Sequence, residues 1–133
     1  MDYKTLVSVL ARHESAIQSV ANLTREIGTA LQRCPISRRV VDFRLEHADT
    51  SDLFDERGRT KTHLWHALSS HGVEHGDDEI VRRYLAAPET GCAHCEQAFE
   101  LILQRRKSRR ELGIAKRMIR HYGKKAMKLE ARQ

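Results

Sequence analysis

Aromatic residues make up only 5% of this 133-residue chain, which also holds just two prolines and seven glycines. With so few aromatics, the core must be built from Leu, Ile, Val and Ala, which suits helix packed on helix. With so few chain breakers there are few turns, so the helices between them are long. No run of about 18 apolar residues occurs, and no signal-peptide core follows the first residues, so neither a membrane span nor export is expected. Three cysteines cannot pair completely, which excludes a full disulfide framework. The H-E-x-x-H and G-x-S-x-G signatures of metallopeptidases and serine hydrolases are missing too.

What is present is a one-domain length with 40% hydrophobic residues, enough for a core and too many for compositional disorder. The segment from Asp2 to Arg33 reads as one uninterrupted helix, with Asp2 as its cap. Leu6, Leu10, His13, Ile17, Val20, Thr24, Ile27 and Leu31 recur in steps of four and three, a heptad-like seam. So long a helix needs a second long helix or a second subunit against it, and a homodimer through this N-terminal helix is expected. The Cys34–Pro35 step marks its end, because proline turns the preceding residue away from helix.

Between Ile36 and Thr50, Val41, Phe43 and Leu45 alternate with Asp42, Arg44 and Glu46, and strand and short helix fit equally well. Thr50 to Lys61 reads as a loop. Thr62 opens a short helix, HLWHALSSHG, that Gly72 can stop, and Trp65 within it is expected to anchor the middle of the chain in the core. Asp77 and Asp78 are caps for EIVRRYLA, which ends near Ala86. The last helix runs from about Ala93 to Tyr122, with a basic tail over residues 123–133. The expected fold is mainly α, a single helical domain over residues 1–122. Two long helices pack together in it, with short helices and room for a small hairpin between them.

Cys92 and Cys95 form a C-x-x-C directly after Gly91 and at the start of that helix. Such a turn presents two sulfurs at the separation a tetrahedral zinc ion requires. Further ligands then come from distant sequence, because closing a long loop is where metal binding helps folding most. Cys34 at a helix end is the natural third ligand. His63 and His66, one turn apart on one helix face, are preferred as the fourth over His71 and His75, and His94 lies inside the knuckle. A structural zinc is the expected cofactor. Reduced packed cysteines, a redox-active pair and a site shared by two chains are the other readings of the same residues. Asp42, Glu46 and His47 share a helix face if that segment is helical, but such a cluster is more often a solvated surface than a nuclease site, and no enzyme activity is expected.

The formal charge of +6 hides an asymmetry. From Arg105 onward there are twelve Lys/Arg against Glu111 and Glu130, whereas the preceding residues are net acidic. Arg105, Arg106, Lys107, Arg109, Arg110, Lys116, Arg117, Arg120, Lys124 and Lys125 are candidates to contact a DNA or RNA phosphate backbone. The same stripe also fits an acidic host protein surface, and cations toward a helix C-terminus suit the helix dipole in any case.

The stretch GCAHCEQAFELILQRRKSRRELGIAKRMIRHYGKKA, Gly91 to Ala126, resembles the ending of small accessory proteins carried by bacteriophages and prophages. The resemblance implies a bacterial cytoplasm and a stoichiometric binder acting on host or phage machinery. The two functions expected are therefore a non-enzymatic regulator that binds nucleic acid and an inhibitor that binds a host transcription or defence complex.

Overall fold

The computed structural model describes residues 3–39, 53–69 and 77–131. Among these the fold is helical: α1 (Tyr3–Gln32), α2 (His63–Ala67), α3 (Asp78–Ala86) and α4 (Ala93–Ala131), with a further helical stretch at 35–39. The ambiguous residues 40–50, the expected caps and stops Asp2 and Gly72, and His71 and His75 lie outside the described residues, as do Asp42, Glu46 and His47. The chain divides into two compact units, one formed by Met1–Thr24 with Leu103–Gln133 and the other by Arg25–Ile102.

In the first unit the two long helices run antiparallel. Ser19 Oγ meets Ser108 Oγ at 2.9 Å, and the Arg105 guanidinium donates to Thr24 Oγ1 at 3.3 Å. Buried between them are Val9 and Ala16 from α1 and Ser108 and Ala115 from α4. This corrects part of the expected seam, of which Ile27 is buried and Leu6, His13, Val20 and Leu31 are half-buried. Leu10 and Ile17 remain 47% and 40% exposed, and Thr24 is exposed as well, so the packed row begins at Val9 and Ala16 instead. Two adjacent rows of α1 are both apolar, about 100° apart, and a heptad count cannot rank them. Small side chains decide it: they let the backbones approach and gain dispersion contacts along the whole seam.

The second unit holds the larger side chains. Phe99, Leu85 and Val81 are buried to within 1% of complete, and Leu64, Ala67, Ala98 and Ile27 belong to the same buried set. α3 forms where its cap predicts: Asp77 Oδ1 accepts from Glu79 N–H at 3.0 Å, and Val81 and Leu85, one turn apart, supply its buried face. Arg82 ties α3 to α4 through Glu100 at 2.7 Å. Both side chains are over two-fifths exposed, so water screens the pair and it contributes little to stability. Before α2, a single bridge between Phe54 and Thr60 closes a tight turn. Asp55 Oδ1 accepts from the amides of Arg57 and Arg59, and Gly58 takes the positive φ of 77° that the turn demands.

Two expectations change. Trp65 is only half-buried, with Lys61 Nζ 4.8 Å above its ring, while its neighbours Leu64 and Ala67 enter the core. And α4 does not stop at Tyr122 but continues through Gly123 to Ala131, since the residues beyond are strong helix formers and no proline follows.

The small-residue seam makes a quantitative prediction. Ala115→Leu, at 1% exposure, should destabilise the protein by about 1–3 kcal/mol through overpacking. Ile114→Leu, at a position 41% exposed, should leave the thermal midpoint unchanged. Thermal melts of the two variants side by side check this.

Candidate metal centre

Four donor groups converge within the second unit. The sulfurs of Cys34, Cys92 and Cys95 and a ring nitrogen of His63 all lie within 4.8 Å of one another. They come from three places in the chain: the turn after α1, the first residue of α2, and the start of α4.

Each arrives for a local reason. After α1, Arg33 and Cys34 donate their amides back to Ala30 and Leu31, and Ser37 Oγ donates to the Leu31 carbonyl at 2.9 Å. These bonds satisfy the helix end and turn Cys34 inward, where it is fully buried. Thr62, itself buried, caps α2 by accepting from Trp65 N–H, which makes His63 the first helical residue. At the other end, Gly91 N–H donates to the Ala87 carbonyl at 2.8 Å, and a side chain at this position would run into the Leu85 carbonyl. Only glycine lets the chain pass there into the knuckle. Cys92 then caps α4, its Sγ accepting from Cys95 N–H at 3.3 Å.

The first turns of the helices point backbone donors at the sulfurs. The amides of His63 and Ile36 reach Cys34 Sγ, and that of Leu64 reaches Cys95 Sγ. Amide-to-sulfur bonds favour thiolate over thiol. Cys34 is held well below its ordinary range, first by the hydrogen bond from Cys95 and then by these amides. Cys95 is pushed up, by that same bond and by burial. Ionised sulfurs this close would repel one another strongly unless a cation lay among them.

The donor set fits a tetrahedral ion. With metal–sulfur bonds of about 2.3 Å, ligand atoms sit about 3.8 Å apart, so closing the cluster requires shifts of about 1 Å at most. His63 Nδ1 stands 3.2 Å from Cys34 Sγ, so it is the nitrogen presented to the cluster. Cys34 and Cys95 are buried, while Cys92 and His63 are half-buried. A tetrahedral ion held by all four groups would have no open position for a reacting group.

Of the expected ligands, Cys34, Cys92, Cys95 and His63 come together and His66 does not. The His66 ring packs edge-on to Trp65 at 5.0 Å, and burial, followed by the nearby His63 and Lys61, lowers its basicity. Thr62 and Gly91 went unread as parts of the site. The signal for Gly91 was its place directly before the C-x-x-C, and for Thr62 its capping chemistry one residue before His63.

The cationic candidates lie along α4 in the first unit. Arg106, Lys107, Arg109, Arg110, Lys116, Arg117, Arg120, Lys124 and Lys125 are all exposed. Arg105 is different. Its guanidinium turns back onto α1, its Nε is buried without a hydrogen-bond partner, and burial with neighbouring Arg109 lowers its pKa. It belongs to the packing. Among the described residues no helix is long and apolar enough to cross a membrane. Compared with known families, characterised proteins and solved structures, the chain matches none of them.

Metal content separates the two histidines. His63→Ala should lose bound metal in native mass spectrometry and lower the thermal midpoint, whereas His66→Ala should retain one ion per chain. Gly91→Ala should behave like His63→Ala, because the knuckle can no longer form beside Leu85.

Proposed function

We propose that the protein is a non-enzymatic, zinc-stabilised accessory protein that binds nucleic acid through the exposed face of α4. The observation that carries this reading is the alignment of the cations. Arg106, Arg110, Arg117, Arg120, Lys124 and Lys128 are exposed and recur in steps of three, four and seven, which puts them on one stripe. The stripe runs for about 33 Å, close to one turn of duplex DNA. Only Glu111 and Glu130 offset it among residues 103–131.

A straight row of cations without aromatic platforms neutralises phosphates and reads no bases. The partner this favours is a duplex backbone, with little sequence preference. Zinc is the metal a closed Cys₃His set selects, and its role is structural because no ligand position is open. The context implied by the resemblance over Gly91–Ala126 fits a small stoichiometric binder.

A second reading is kept for one reason. Met127 and Leu129 are 72% and 53% exposed near the end of α4, and phosphates have no use for them. An acidic host protein with an apolar pocket would engage both these residues and the cations.

Fluorescence anisotropy with a short duplex, titrated over salt, tests the proposal. With about six phosphate contacts, log K should fall against log salt with a slope of about −5. Arg117→Ala with Arg120→Ala should weaken binding and flatten that slope by about 2. Absence of binding at low salt would refute the nucleic-acid reading. Bound zinc should appear as one equivalent per chain, and its removal by a chelator should lower the thermal midpoint.

A further inference from the structure

The seam of the first unit leaves the bulkier apolar residues of α1 outside it. Tyr3, Val7, Leu10 and Ile17 are 78%, 45%, 47% and 40% exposed, and they recur in steps of four, three and seven. They therefore form one continuous outward stripe, about 21 Å long. Scattered exposed apolar residues are ordinary, but an aligned row on one helix is a contact surface. One charged residue interrupts the row. Glu14 falls on the same stripe, midway between Leu10 and Ile17, and Lys4 flanks its other end; both are exposed.

We propose that this stripe is where a second copy of the chain docks, antiparallel, making a four-helix contact between the first units of two protomers. The charge pattern selects both the occupant and the direction. Reversing one α1 against the other about a point between Val7 and Leu10 sets these apolar pairs against each other. The same reversal brings Glu14 of each copy to within one residue, about 1.5 Å along the axis, of the level of its partner's Lys4. Parallel copies would instead place Glu14 against Glu14 and Lys4 against Lys4, which is unfavourable in a partly desolvated contact. A helix pair of this length buries on the order of 1,000 Å² over both copies, just below the range of standard specific interfaces, so a weak and reversible dimer is expected.

The function proposed above does not depend on this dimer, and the test involves neither nucleic acid nor metal removal. Sedimentation velocity of the full metal-loaded chain, over a micromolar concentration series, should show a reversible monomer–dimer equilibrium. Leu10→Lys should raise the dimer Kd by about a hundredfold, since each dimer loses two buried leucines. Its helical circular dichroism should be unchanged, because position 10 faces outward. Glu14→Lys and Lys4→Glu should each weaken the dimer, and the double variant should restore it. A wild-type chain that stays monomeric throughout would overturn the proposal and assign the stripe to a different partner. A dimer indifferent to Leu10→Lys would overturn it equally. Failure of the double swap to restore association would overturn the antiparallel arrangement.

Discussion

The junction where backbone amides meet cysteine sulfurs is the constraint on which the second unit depends. α2 is five residues long, too short to stand as an isolated helix. Its leading amides, which a helix normally leaves without partners, are directed at Cys34 and Cys95. The sulfurs in turn are brought together by the end of α1 and the start of α4. Each group has a polar partner only because the others are in place. Helix ends, cysteine sulfurs and the imidazole of His63 thus form one cooperative piece, and the buried Phe99, Leu85 and Val81 are the apolar part of the same unit.

Much of this was legible in the sequence. The C-x-x-C, the Cys34–Pro35 helix end and the paired His63 and His66 name the four converging groups and one too many. The sequence could not separate the two histidines, because residues three apart share a helix face. What separates them is position relative to the cap: Thr62 makes His63 the first residue of α2, so both its ring and its amide reach the site. The helical class and the two long elements were also legible, from the scarcity of breakers.

What the sequence leaves open are choices between near-equal alternatives. α1 carries two apolar rows, and hydrophobic periodicity weighs Leu10 and Ile17 above Val9 and Ala16 because they are larger. Packing chose the smaller row, since α4 offers Ser108 and Ala115 opposite it. Arg105 looked like one more cation of the basic run, yet its position on the helix turns it toward Thr24. Trp65 looked like an anchor by size, but Leu64 holds the inward position beside it. In each case the missing information was the shape of the opposing surface, which no single segment encodes.

The hydroxyl pair of Ser19 and Ser108, set among alanines, has a consequence for how this chain can change over time. The first unit is aligned by close fit along a narrow line, while its bulkiest apolar residues and nearly all its cations lie off that line. Mutational drift at Val7, Leu10, Ile17 or the exposed arginines of α4 would therefore change the surface chemistry of the molecule and leave its folding nearly untouched. Drift at Ala16, Ser19, Ser108 or Ala115 does the reverse. A scaffold of this kind lets the chemistry of its surface change while the line of small residues stays still.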